Sequence, residues 1–145
     1  MLHFHKFVGR SKNILSMKGV MHTLDNPLSM IFQLAECNLR EFIQKNPQHS
    51  QNPRVWKHII EGIANGLKTL HEVKIAHMDL KPENILLLGV KEFLEKAQQN
   101  VIDPSLITPL ICDFGVSKVV DNTVLSNASA MTYRYTPPEF FENWT

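Results

Sequence analysis

The 145-residue chain is short of several things, and each shortage narrows what it can be. It has only two cysteines, Cys37 and Cys112. Two are too few for a disulfide scaffold and suit a reducing, cytoplasmic compartment. Its six glycines stand singly, so no glycine-rich loop is present to cradle phosphates. Charge of one sign is missing too: 15 Lys and Arg meet 14 Asp and Glu, for a net +1. That balance offers no field for a polyanion, which excludes nucleic acid as the expected partner. No apolar run approaches the roughly 18 residues needed to span a membrane. The opening MLHFHKFVGRSK lacks the apolar centre of a signal peptide. Repeats and low-complexity tracts are absent.

What is there suits one globular domain: 43% hydrophobic and 20% charged residues. Phe4, Phe7 and Val8 share one side of a helical pattern in residues 1–13. Residues 13–20 and 28–34 read as two short strands, with Leu24-Asp25-Asn26-Pro27 as the turn. Asn38 can cap a short helix over 39–45, ended by Asn46-Pro47. Gln48 to Pro53 reads as loop. The clearest helix covers 54–71, with Val55, Trp56, Ile59, Ile60, Ile63, Ala64, Leu67 and Leu70 at three- to four-residue spacing. Gly62 and Gly66 would weaken an exposed helix, so they predict a closely approaching neighbour. Ile85 to Leu88 and Leu110 to Cys112 read as short strands. Between them, residues 89–109 read as an excursion with one small amphipathic helix (Val90, Phe93, Leu94, Ala97), best taken as a tolerated surface loop. Residues 121–130 are small and polar, the texture of an exposed loop.

Two acidic loops follow one another, each tied to a short apolar strand. The first is His77-Met78-Asp79-Leu80-Lys81-Pro82-Glu83-Asn84, the second Asp113-Phe114-Gly115. Either alone is a weak signal, since a lone loop Asp is usually a turn former. In this order, around a strand pair, the two resemble the eukaryotic protein kinase family, whose catalytic loop reads H-R-D-L-K-P-x-N and whose metal-binding motif is DFG. Pro137-Pro138-Glu139 resembles the A-P-E end of the activation segment.

The resemblance implies a protein-kinase-like α+β fold, in part: the hinge strands plus the first part of the mainly helical large lobe. Residues 1–37 would be a remnant of the small lobe and hinge, and 38–145 the large lobe up to the end of the activation segment. It implies an ATP-dependent protein serine/threonine kinase that transfers the γ-phosphoryl group to protein hydroxyls. Asp79 would accept the hydroxyl proton, Lys81 meet the transferred phosphate, and Asn84 and Asp113 hold Mg2+. Phe32 falls at the gatekeeper position. Gln33, Leu34 and Ala35 would offer hinge backbone to adenine, and Leu86 would lie beneath the ring. His77 and Phe114 match members of an internal hydrophobic spine. Lys81 and Thr132 match the serine/threonine branch.

The chain also departs from the family. It has no glycine-rich loop, no strand bearing the phosphate-pairing lysine, and no helix-C glutamate where the motif register lands, at Met1 or Leu2. It stops just after Glu139, so it reads as a piece of a longer protein. Met78 replaces the arginine that orders a phosphorylated activation loop, so Thr123, Ser126 and Ser129 are expected not to act as that switch. The alternative reading is an inactive truncated kinase or pseudokinase serving as a protein-binding module. His3 and His5 read as part of a solvated basic end rather than a metal site. Cys112 reads equally as a thiol reachable from the nucleotide pocket and as a buried inert one.

Overall fold

The computed structural model describes residues 11–23, 26–114, 117–119 and 133–135. Residues 1–10 of the helical pattern read in 1–13, Leu24 and Asp25 of the turn, Gly115, Thr123, Ser126, Ser129, Thr132 and Pro137 to Glu139 lie outside them, His3 and His5 included.

β1 (Met17–Thr23) and β2 (Asn26–Phe32) form an antiparallel hairpin, with Met17 opposite Phe32 and Thr23 opposite Asn26. Its strands begin and end earlier or later than the sequence pattern suggests. Asn13 to Leu15 are drawn instead to a second sheet. The Ile111 amide donates to the Asn13 carbonyl at 3.0 Å, and the Leu15 amide to the Ile111 carbonyl at 2.9 Å. At the other end, Leu34 stands off the hairpin and is 92% exposed.

The second sheet holds β3 (Cys37–Asn38), β5 (Ile85–Leu88) and β6 (Thr108–Ile111), antiparallel in the order β3-β5-β6. β4 (Ile75–Ala76) pairs separately with β7 (Lys118–Val119). The strand predicted at 110–112 is thus shifted towards its amino end, and Cys112 begins the loop beyond it.

The Asn38 side chain accepts from the Glu41 amide at 2.9 Å and caps α1 (Leu39–Lys45), as the sequence predicts. The stretch expected to be loop carries a four-residue helix, α2 (Pro47–Ser50). Proline at its first position costs no intrahelical bond there, and the Ser50 hydroxyl donates back to the Pro47 carbonyl. α3 (Pro53–Glu72) starts on an Asn52 cap that accepts from the Arg54 amide.

The buried stripe of α3 is Val55, Ile59, Gly62, Gly66 and Leu70, while Ile60 is 56% exposed. The stripe is rotated towards the glycines because β6 approaches there. A Cβ on Gly62 would run into the Pro109 ring, and one on Gly66 would sit 2.7 Å from the Asn13 carbonyl oxygen and 2.8 Å from the Ile111 side chain. The close neighbour predicted from those two glycines is therefore the strand ladder itself.

The excursion at 89–109 is a part of the core. It contains α4 (Val90–Gln98) and a 3-10 turn (Pro104–Leu106). Phe93 is 0% exposed, edge-on to Phe42 of α1 at 6.4 Å and to His49 of α2 at 5.5 Å. Ile107 is buried as well, and its carbonyl accepts from His58 of α3 at 2.7 Å. The reading as a tolerated surface loop is corrected: α4 seals the core under α1.

Candidate active site

The first acidic loop follows β4 and ends in a 3-10 turn, Pro82–Asn84, that leads directly into β5. Pro82 at the start of that turn fixes φ, and the Asn84 amide closes it on the Lys81 carbonyl at 2.9 Å. This short closure sets the spacing of three side chains. Lys81 Nζ donates to Asp79 Oδ2 at 2.7 Å. Asn84 Nδ2 donates to the same Oδ2 at 3.0 Å and to the Asp79 carbonyl at 2.9 Å. Asn84 is buried, and the Asp79 side chain is 11% exposed. The hydrogen bond to Asp79 pushes the Lys81 ammonium above its ordinary value, with the charge of Asp113 a smaller contribution in the same direction. Lys81 therefore stays charged across the neutral range.

The second acidic loop is fastened to the first. The Cys112 amide donates to the Asn84 carbonyl at 2.9 Å. His77 Nε2 lies 2.8 Å from the Cys112 carbonyl, and since a carbonyl only accepts, Nε2 donates. His77 Nδ1 then accepts from the Asp79 amide at 3.3 Å. The His77 ring also packs on Phe114 at 5.3 Å, so these two expected spine residues do meet. One buried histidine thus joins the backbone of both loops.

Strain collects at the same place. Among the described residues, four that are not glycine have positive φ. Lys74 and Asn100 follow the ends of α3 and α4, where a left-handed residue closes the last turn. Met78 (φ 69°) and Asp113 (φ 61°) have no helix end to explain them. Asp tolerates this region, whereas Met does so at a cost of about 1 kcal/mol or more. They flank Asp79 and Phe114, so backbone strain sits beside the two acidic motifs.

Burial, and then the charge of Asp113, push the Cys112 thiol up to about 11. Of the two readings of Cys112, the inert thiol is favoured. Cys37 is raised as well, chiefly by burial. Both are free thiols.

Of the predicted adenine contacts, Leu86 lies on β5 opposite Asn38 on one side and Leu110 on the other. Gln33, Leu34 and Ala35 run between the hairpin and β3, and the Glu36 amide ties that segment to the Leu87 carbonyl at 3.2 Å. A cleft of about 230 Å³, lined in part by His58, Glu61, Asn65 and Ser105, contains none of the predicted site residues.

Sequence reasoning missed two supports. Arg40 of α1 donates to Glu83 at 2.7 Å and holds α1 against the Pro82–Asn84 turn. Glu83's own backbone amide, with Arg40 behind it, keeps that carboxyl below its usual range. Asn13 donates to the Pro109 carbonyl at 2.9 Å. Neither pairing has a local signal, since the partners are 43 and 96 residues apart.

A lysine and an amide converge here on one carboxylate oxygen of Asp79, with a second Asp one strand away. That class of site can orient a hydroxyl and neutralise a phosphate. Comparison with known proteins is in accord: the protein kinase domain family matches residues 2–144. The chain is 32% identical over 132 residues to a cyclin-dependent kinase 4 homolog of Caenorhabditis elegans, covering 88% of this chain and 28% of that protein. It is 30% identical over 130 residues to a death-associated protein kinase related protein of Drosophila melanogaster, covering 90% and 17%. The meiosis induction protein kinase IME2/SME1 of Saccharomyces cerevisiae matches at 32% over 115 residues, covering 77% and 18%. The chain belongs to the protein kinase family, as a partial domain of α+β architecture. It spans less than a third of the length of these relatives. No helix among the described residues is long and apolar enough to cross a membrane.

Proposed function

We propose that this chain carries the phosphoryl-transfer loop of an ATP-dependent protein serine/threonine kinase. Residues 1–37 form the remnant of its small lobe and hinge, and residues 38–145 the first part of its large lobe. One observation carries this reading: Lys81 and Asn84 both bind Asp79 Oδ2, in a loop whose backbone is tied through His77 and Cys112 to Asp113.

Asp79 orients the substrate hydroxyl and takes its proton as the oxygen attacks. Phosphoryl transfer proceeds through a loose transition state, so positioning and charge neutralisation do most of the work. Lys81 supplies a cation two residues from the base, to meet the transferred phosphoryl oxygens. The Asn84 amide hydrogens are both directed at Asp79, which leaves its Oδ1 as an oxygen donor. With the Asp113 carboxylate it makes a hard-oxygen set suited to Mg2+. When bound there, Mg2+ would neutralise charge on the nucleotide phosphates. Hinge backbone at Gln33, Leu34 and Ala35 would hold the adenine, with Leu86 on β5 offering an apolar contact to it. The reducing chemistry of two free thiols suits an intracellular, cytoplasmic setting.

The test is transfer of γ-labelled phosphate to a mixed protein substrate, followed by phosphoamino acid analysis. Phosphoserine and phosphothreonine are expected, and Asp79→Asn should lower the rate by about 10²–10⁴-fold. Label on tyrosine, or transfer untouched by Asp79→Asn, would contradict the reading. The alternative reading is a non-catalytic binding module. It predicts a folded chain that ignores Mg2+ and ATP.

A further inference from the structure

Glu36 has no role in the motif series, yet it touches more of the insertion than any hinge residue needs to. Its backbone amide donates to the Leu87 carbonyl at 3.2 Å. Its carboxylate reaches past the end of β5: Oε1 accepts from the Gly89 amide at 2.8 Å and Oε2 from the Lys91 amide at 2.7 Å. Those two amides open α4, where the first backbone N–H groups have no partner within the helix. Gly89 is held at φ 75°, and a Cβ there would collide with the Leu106 carbonyl, so the start of α4 is a fixed anchor. The anchor is sunk in the core through Phe93 and Val90.

One residue therefore meets the carboxyl end of β5 three times, backbone to Leu87 and side chain to the amides of residues 89 and 91 just beyond the strand. Leu86 is the residue just before Leu87 on that strand, opposite Asn38. We infer that Glu36 is a positioning residue: by capping the inserted helix α4 it fixes the hinge segment 33–35 relative to Leu86, and so sets the width of the adenine slot. This rests on the proposed nucleotide-binding reading for its consequence, but not for its geometry. A carboxylate accepting two backbone amides at under 3 Å is a charge-assisted, bidentate cap, stronger than a neutral side chain supplies. The insertion then has a purpose beyond filling space, because it carries the far end of the hinge brace.

The experiment uses the full chain with three substitutions. Glu36→Ala removes both bonds, and Glu36→Gln keeps one acceptor oxygen. His58→Ala cuts a different polar tie of the insertion, from α3 to the Ile107 carbonyl. Hydrogen exchange of segment 34–38 is read without nucleotide. It should speed up about ten-fold in Glu36→Ala, about three-fold in Glu36→Gln and not at all in His58→Ala, even where His58→Ala lowers Tm as much. Affinity for Mg·ATP should fall in the same order, by about five- to ten-fold in Glu36→Ala. Unchanged exchange at 34–38 in Glu36→Ala would overturn the inference. So would an equal rise in His58→Ala, which would mean general loosening. Failure of the unaltered chain to bind Mg·ATP would instead sink the proposed function, while the exchange result still decides the role of Glu36.

Discussion

The β1–β2 hairpin exposes Val20, Met21, Leu28, Met30 and Ile31, whereas Phe93, Leu70, Leu87 and Ile111 in the body below are sealed from solvent. Both regions are rich in apolar residues, so composition does not separate them. Val20 and Met21 are neighbours on one strand and face opposite sides of the hairpin, as do Met30 and Ile31. Neither face of the hairpin is therefore covered by the described residues. A two-stranded hairpin of this kind is marginal by itself. The body buries its apolar stripes three ways: α3 on β6, α1 on the Pro82–Asn84 turn, and α4 under α1. Among the described residues, it is the body that supplies the packed core and holds the loop of Asp79, Lys81 and Asn84. The hairpin hangs from it through Asn13 to Leu15 and the brace at Glu36.

Four substitutions or treatments bear on that contrast. Phe93→Ala removes the ring at the centre of the body and should cost about 3–5 kcal/mol, seen as a large drop in the urea midpoint. A small loss would show that α4 is peripheral after all. Next in size is the thiol of Cys112. Its value near 11, against 9.0 for an unperturbed thiol, predicts alkylation at pH 8 that is about 100-fold slower than a free cysteine. The rate should climb as pH rises through 9 to 11. Because the folded-state value is the higher one, folding stability from this group is complete below pH 9 and declines as pH rises towards 11. Fast alkylation at neutral pH would show that the loop before Asp113 opens readily.

Gly66→Ala forces a Cβ between α3, the Asn13 carbonyl and Ile111, and should cost about 1–3 kcal/mol through overpacking. It should also loosen the 13–15 bridge that carries the hairpin. Smallest of all, Ile31→Thr on the exposed hairpin should change stability by no more than about 0.5 kcal/mol. A large loss there would mean that the hairpin face is covered in solution, and the contrast between the two regions would fail.

Much of this was legible in the sequence where the forces are local. Asn38 caps α1, and Pro53 opens the helix whose stripe is written at its own period. Asp79, Lys81 and Asn84 lie within six positions, so a turn closed by Pro82 and Asn84 is enough to gather them. The family resemblance rested on that loop together with Asp113-Phe114-Gly115 and Pro137-Pro138-Glu139. What was not legible comes from distant partners. Phe93 looks like any residue of a small amphipathic helix until Phe42 and His49 are placed against it. Glu36 meets the amides of residues 89 and 91 across more than 50 positions. The stripe of α3 turned away from Ile60 and Ala64 because β6 approaches so closely that only glycine fits. The α2 turn was missed because its residues are polar and no periodic pattern marks it.

The central claim is that the loops bearing Asp79 and Asp113 form one metal-nucleotide site. Titration with Mn·ATP tests it most directly, with paramagnetic broadening read across the amide spectrum of the chain. The account predicts selective broadening of the Asn84 side-chain amide and of the backbone amides of Asp79, Cys112 and Asp113, abolished in Asp113→Ala. Broadening spread evenly over the surface, or centred on the cleft between His58 and Ser105, would contradict it.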